Sequence, residues 1–339
     1  MIRPLQLLLL LCMFCVSAQQ VTPPGSDPAA ASSAELLSLY VQIPSESGKE
    51  KRAGEFFMEV CRRRGLYITE MGQEDGRYNF MASLFPPEEK KPNLILMNHI
   101  DVVPEYEGNT HGPYSGVIED GYLYGRGAID NKGVAVMQLE AISRIKSSED
   151  YQNSPYNISL LTVSCEETQC TGGMQHVLSE YAEEINAAVV IGEGPTDLST
   201  LMDDDFPNPI YAISRAHKRA YWLELEIEID GFGHGSVTPD AYANKELVSA
   251  LQNLTKKKQK AIFNDLNIGF LKGMAQYRKG VQRLVMKHPR LFKAILVPQL
   301  RKTPELFSIF SNTVTLTNLE SNSQTINTNS TLARAGLDC

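Results

Sequence analysis

Residues 93–101 read NLILMNHID, an apolar run that ends abruptly in a histidine and an aspartate. LILM is short and apolar enough to be a strand buried on both faces, as in a parallel sheet. Two stretches downstream repeat the pattern. ISLLTVS (158–164) runs straight into Cys165-Glu166-Glu167, and AAVVI (187–191) into Gly192-Glu193-Gly194. Between these, NKGVAVMQLEAISRIK (131–146) and Gly173–Ile185 carry apolar residues at helical spacing. Strands alternating with helices over 90–195 predict an α/β layer around a mostly parallel sheet. Upstream, Ser33–Gly65 reads as two helices broken near Pro44. Tyr78–Phe85 reads as a strand and Val117–Tyr124 as a short one.

Ligand sites in such sheets lie beyond the carboxyl ends of the strands. His99, Asp101, Glu166, Glu167 and Glu193 fall there, and GRGAIDNKG (125–133) sets Asp130 in a turn just before a helix. Carboxylates gathered at one sheet edge repel each other unless a cation lies between them. One histidine with several carboxylates, and no cysteine cluster, suits Zn2+ or a similar first-row ion. His99 and Asp101 are two apart on a strand and share a face. The aspartate can then hold one ring nitrogen while the other meets a metal. Asp130 can offer its two oxygens to two ions. Of the neighbours Glu166 and Glu167, one can ligate while the other acts as a general base. Each feature alone has a plainer explanation: a structural histidine, a helix cap, or a charge pair at a helix start. Their order on one sheet favours the metal site.

The motifs HIDVVP (99–104), PYSGVIEDGYLYGRGAIDNKG (113–133) and SCEETQCTGG (164–173) resemble the co-catalytic zinc aminoacylase and carboxypeptidase family. Its members include acetylornithine deacetylase, succinyl-diaminopimelate desuccinylase and carboxypeptidase S. The Pro-Tyr-Ser-Gly and a helical insertion before NTVTLTNLES (312–321) look most like the carboxypeptidase S and N-acyl-amino-acid hydrolase branch. The resemblance implies a zinc-hydrolase catalytic domain with an inserted α+β lid. It also implies two zinc ions, with Co2+ or Mn2+ as substitutes. His99, Asp130 and Glu193 would hold one ion; Asp130 and Glu167 would hold the second, with a histidine near the family's C-terminus. Glu166 matches the base that deprotonates the metal-bridging water and then protonates the leaving amine. Asp101 matches the residue that orients the histidine. Gly231-Phe-Gly-His-Gly-Ser236 resembles the lid segment whose histidine, here His234, reaches the oxyanion, often across a dimer.

None of the six histidines (99, 111, 176, 217, 234 and 288) stands where the last zinc ligand should be. TLARAGLDC (331–339) resembles a lid strand after which the family's chain returns to the catalytic domain, so the sequence is expected to be C-terminally truncated. Beyond about 210 the texture does change. YWLELEIEI (221–229) alternates strictly, a strand with one wet face. Ala241–Leu254, a Lys-rich stretch TKKKQK (255–260) and segments to about Phe310 read as helices. Thr313–Leu319 and Thr331–Leu337 read as alternating strands. The expected organisation is a signal peptide (1–18), a linker (19–33), a catalytic domain (34–210) and an incomplete lid or dimerisation domain (211–339).

The N-terminus, MIRPLQLLLLLCMFCVSAQQ, places one basic residue before the apolar run Leu5–Val16 and small residues before a cut after Ala18. That is a secretory signal layout, and the run falls short of the roughly twenty residues a membrane span needs. Export to a periplasm or outside the cell is expected. Of the remaining cysteines, Cys61, Cys165, Cys170 and Cys339 permit disulfides but make no disulfide framework. Glycosylation sequons begin at Asn157, Asn253 and Asn329. With 42% hydrophobic and 21% charged residues among 339, the composition is that of a globular chain, and a net charge of −8 argues against nucleic-acid binding.

The expected function is metal-dependent hydrolysis of the amide of an N-acyl amino acid, or of the last peptide bond of a short peptide. No nucleic acid or stable membrane span is expected, and a homodimer through the lid is. The competing expectation is a non-catalytic binding or scaffolding relative that lacks the last zinc ligand. A serine hydrolase is disfavoured because the chain has no Gly-x-Ser-x-Gly elbow.

Overall fold

A computed structural model describes residues 27–72, 77–105, 110–148, 150–194, 198–201, 209–211, 213–214, 216–231 and 233–339. They fall into two compact units, one up to residue 212 and one from Ile213. The expected signal peptide lies outside the described residues.

In the first unit, α1 (Ser33–Val41) starts on a capping box: Ser32 Oγ accepts from the Glu35 N–H, and the Glu35 carboxylate accepts from the Ser32 N–H. After the break at Pro44, α2 (Lys51–Arg63) buries Phe57, Val60 and Cys61. There follow β1 (Tyr67–Glu70), β2 (Phe80–Ser83), β3 (Asn93–His99), β4 (Val117–Glu119), β5 (Tyr122–Tyr124) and α3 (Lys132–Lys146). The unit continues with β6 (Asn157–Val163), α4 (Met174–Glu180), α5 (Ala182–Ile185) and β7 (Ala187–Ile191). A five-stranded sheet has the order β1-β2-β6-β3-β7. β2 runs antiparallel to both its neighbours, and β6, β3 and β7 are mutually parallel. Only β2 therefore opposes the common direction, and the mostly parallel sheet read from the sequence is present.

Each face of this sheet has its own core. Phe80, Ala82 and Leu160 pack with Leu36, Phe57 and Leu139 from α1, α2 and α3. Met81, Ile95, Leu161 and Val163 pack with Val177 of α4 and Ile185 of α5. Strand alternation sends successive residues of β2 and β6 to opposite faces, and each such side chain contributes about 1.5–3 kcal/mol on burial. The result is a three-layer α/β/α stack whose parallel strands end together at one edge. In register, His99 lies opposite Val163, and Leu96 opposite Ile191.

Several local expectations need correction. Val117–Tyr124 is a hairpin rather than one strand: Asp120 and Gly121 both take positive φ, 50° and 81°, the turn that Asp-Gly favours. The helix expected over 173–185 breaks at Tyr181. AAVVI, expected to be buried, is exposed at all five positions, because among the described residues β7 pairs with β3 on one side only.

The second unit comprises β8 (Trp222–Glu228), α6 (Ala243–Thr255), α7 (Asp265–Met274), α8 (Gly280–Lys287), α9 (Lys293–Leu300), α10 (Pro304–Ser308), β9 (Thr315–Ser321) and β10 (Leu332–Asp338). Its antiparallel sheet has the order β8-β10-β9. Ala243, Leu247 and Leu251 of α6 cover Ala333, Ala335 and Leu337 of β10. Helices α7 to α10 enclose a separate core around Leu271, Val285, Leu300 and Phe310. TKKKQK is not helical: α6 ends at Thr255, since successive lysines offer no apolar face to pack. No helix among the described residues is long and apolar enough to cross a membrane.

Candidate metal centre

The edge where β3, β6 and β7 end gathers the acids and the histidine. One ligand atom each from His99, Asp130 and Glu167 lie within 4.8 Å of one another. His99 Nε2 stands 3.0 Å from Asp130 Oδ1, 3.7 Å from Glu193 Oε2 and 3.8 Å from Glu166 Oε2. The structure thus brings together His99, Asp101, Asp130, Glu166, Glu167 and Glu193. The His99 ring is buried while the carboxylates of Asp130, Glu166 and Glu193 are open to solvent. One imidazole nitrogen with several converging carboxylate oxygens is a donor set that fits a zinc-type ion.

Two glycines allow the backbone to reach this geometry. A Cβ on Gly133 would stand 2.1 Å from the Ala128 carbonyl, so the turn that presents Asp130 closes only on glycine. A Cβ on Gly173 would stand 2.0 Å from the Ser164 carbonyl, in the return of the loop that bears Glu166 and Glu167.

Asp101 does more than its expected task. His99 Nδ1 makes its shorter contact, 2.9 Å, with the main-chain carbonyl of Asp101, and lies 3.4 Å from the carboxylate. The carboxylate is also committed elsewhere. Asp101 Oδ1 accepts the Glu166 N–H at 3.0 Å, and Oδ2 accepts the Glu167 N–H at 3.0 Å and the Ser47 hydroxyl at 2.8 Å. One buried carboxylate therefore fixes both the histidine strand and the glutamate turn.

Burial opposes a charge on His99, but Asp101 and Glu193, with Glu166 beyond, push its pKa up to about 11. Burial likewise works against Asp101, yet hydrogen bonds from His99, Ser47 and the Glu166 amide hold its carboxyl below the usual range. Burial raises Glu166, the Glu193, Asp101 and Asp130 charges add to this, and His99 opposes it. Burial and then Asp130 raise Glu167, again against His99. Negative charge is thus crowded enough here to favour protons or a cation.

Residues 95–288, more than half of the chain, match the family model described as peptidase family M20/M25/M40. The chain belongs to this family. Among its relatives is the human N-fatty-acyl-amino acid synthase/hydrolase, 27% identical over 296 residues, which cover 84% of this chain and 58% of that protein. Pig (Sus scrofa) aminoacylase-1 is 28% identical over 221 residues, 63% of this chain and 51% of its own length. The chain thus spans little more than half the length of these curated relatives. Among solved structures, the M20 metallo-carboxypeptidase Sso-CP2 of Sulfolobus solfataricus has a TM-score of 0.60 at 18% identity, covering 91% of this chain and 70% of its own. Human carnosine dipeptidase 1 has a TM-score of 0.61 at 16% identity, covering 90% and 68%. These two likenesses show the fold.

Some residues around the site of this M20 chain had no sequence signal of their own. Asn131 accepts the His99 main-chain N–H through Oδ1 at 3.2 Å and donates from Nδ2 to Glu193 Oε2 at 2.6 Å, so it ties β3 to the segment after β7. Its position next to Asp130 was the only hint. Lys132 is fully buried and donates to the Tyr40 and Ile43 carbonyls at 3.1 and 2.7 Å. Burial lowers its pKa to about 7. Glu50 is fully buried before α2, with the backbone amides of Glu50, Gly48 and Cys165 acting on its carboxylate. Burial raises its pKa and the Asp101 charge adds to the shift, against the lowering effect of those amides.

His234 belongs to the second unit. Its Nδ1 accepts the Ser236 N–H at 3.2 Å and lies 2.8 Å from the Ser236 hydroxyl, and its Nε2 lies 3.3 Å from Asn327 Nδ2. Asn157, the first sequon residue, is buried and bonded through both side-chain ends to Phe85, so it is closed to glycosylation in the folded chain.

Proposed function

We propose that this chain carries the metal site of a hydrolase that cleaves the amide of an N-acyl amino acid or the C-terminal peptide bond of a short peptide. The observation that carries the reading is the pairing of Glu166 with a three-ligand cluster. Glu167 joins His99 and Asp130, while Glu166, fixed by the same Asp101 carboxylate, stands beside them with a raised pKa. A carboxylate so placed can take a proton from an attacking water and hand it to the leaving amine. Zinc, with Co2+ or Mn2+ as substitutes, supplies Lewis-acid polarisation of the amide carbonyl when bound. His99, Asp130 and Glu193 are proposed to hold one ion, and Asp130 with Glu167 a second. His234 is proposed to stabilise the oxyanion.

Family membership and the relatives named for N-acyl-amino-acid and dipeptide chemistry support this over a non-catalytic binder. Export through residues 1–18, and a role for the second unit as lid and dimer contact, are proposed on the sequence alone. The test is Glu166→Gln in the intact enzyme, assayed for amide hydrolysis and for metal content. Zinc retained with turnover lost is expected, and undiminished hydrolysis would refute the base.

A further inference from the structure

Cys165 and Cys170 form a disulfide, and the short loop it closes, Cys165-Glu166-Glu167-Thr168-Gln169-Cys170, holds both glutamates of the site. We propose that this disulfide is a positioning device for the metal centre, setting the affinity for the ion that Asp130 shares with Glu167. The inference rests on the metal reading given under Proposed function and deepens it.

The loop's shape needs restraint. Cys165 takes φ 64° and Gln169 takes φ 50°, both in the left-handed region that residues other than glycine seldom occupy. Such conformations persist where the surroundings over-determine them. Asp101 holds the middle of the loop through the Glu166 and Glu167 amides. The Gln169 N–H turns back to the Glu166 carbonyl at 3.2 Å. Beyond the loop, Asn79 Nδ2 donates to the Gly172 carbonyl at 2.9 Å, and Gly173 lies against Ser164. The disulfide joins the buried Cys165 to the partly exposed Cys170, and so ties the open half of the loop, Thr168 to Cys170, to the end of β6.

A general role in stability is the weaker account. The chain entropy that a cross-link removes grows with the length of the closed loop, and a sequence separation of 5 is close to the minimum. Among the described residues the two other cysteines, Cys61 and Cys339, are free. The bond is placed where it governs the geometry of Glu166 and Glu167 and little else. Ligand-supporting contacts of this kind are each worth about 10–100-fold in metal affinity.

The experiment is a zinc titration against a competing chelator on the full chain, comparing wild type with the double variant Cys165→Ser, Cys170→Ser. Thermal unfolding reports whether the variant is folded. Retention of one ion at wild-type affinity, with the other weakened about 10–100-fold, is expected. The wild type is also titrated after treatment with a water-soluble phosphine. That reagent breaks the S–S bond to two thiols and becomes a phosphine oxide, its oxygen coming from water. The same loss is expected, regained on reoxidation. Unchanged affinity in the folded variant overturns the proposal. If the variant does not fold, unchanged affinity in the reduced wild type overturns it instead. Failure of the untreated wild type to bind zinc at all would overturn the metal reading itself, and this inference with it.

Discussion

The Asp101 carboxylate receives the Glu166 main-chain N–H at 3.0 Å, which couples the strand that presents His99 to the turn that presents the proposed base. The second oxygen of the same group takes Glu167 and Ser47. Asp101→Ala therefore leaves two loop amides without their acceptor and His99 without the buried negative charge beside its Nδ1. Zinc affinity should fall about 10–100-fold and turnover should fall with it. Parallel zinc titration and steady-state kinetics check this. A variant with normal metal binding and normal turnover would show that the coupling is idle.

Asn131 makes a more selective prediction. Its side chain bridges the His99 backbone and Glu193, so Asn131→Ala should weaken the ion assigned to His99, Asp130 and Glu193 about tenfold. The ion assigned to Glu167 should respond less. Stepwise zinc affinities separate the two outcomes, and equal losses at both steps would contradict the assignment of Glu193.

Lys132 links the site to the core, and its ammonium lies 4.9 Å above the Tyr40 ring. Lys132→Met keeps most of the volume but strips a donor from the Tyr40 and Ile43 carbonyls, at about 1–3 kcal/mol for each group left unsatisfied. The variant should be less stable in denaturant at pH 8. The pH dependence has a definite sign. A lysine in the unfolded chain keeps its proton to about 10.4, whereas burial brings folded Lys132 to about 7. Between these values the unfolded chain binds more protons, so this group's contribution makes stability rise with pH through the window. The wild-type minus Lys132→Met difference in unfolding free energy should show that rise; a flat difference would contradict it.

Glu50 carries the opposite sign. Its folded pKa is raised, so above the ordinary carboxylate value near 4.3 the unfolded chain releases the proton more readily. Its contribution to stability then falls as pH rises towards neutrality. Glu50→Gln keeps the shape and removes the charge, and should raise the melting temperature at pH 7 while leaving it little changed at pH 4. A lower melting temperature at pH 7 would mean that the backbone amides of Glu50, Gly48 and Cys165 outweigh the effect of burial.

The parallel sheet was legible because LILM, ISLLTVS and AAVVI are short apolar runs separated by helical spacing, and the chain-end rule for such sheets then pointed to His99, Asp130, Glu166, Glu167 and Glu193. Those residues meet because β3, β6 and β7 end at one edge. What escaped depends on contacts across the fold. Nothing local to Asn131, Lys132 or Glu50 says that its side chain is buried against the site. AAVVI is apolar in sequence and exposed in space, since edge position is a property of the sheet and not of the strand. TKKKQK has helix-forming residues but no apolar face, and Asn157 matches a sequon yet is spent on Phe85. Only the pairing of Cys165 with Cys170, in the loop of the glutamates, ties the cysteine pattern to the site.

The central claim is that His99, Asp130, Glu167 and Glu193 form a metal centre, and zinc content tests it most directly. The purified chain, saturated with zinc and freed of excess, should retain two ions per molecule. Asp130→Ala, which removes the oxygens assigned to both ions, should retain none at the same free zinc while staying folded. Zinc absent from the wild type, or held equally by the variant, would contradict the account.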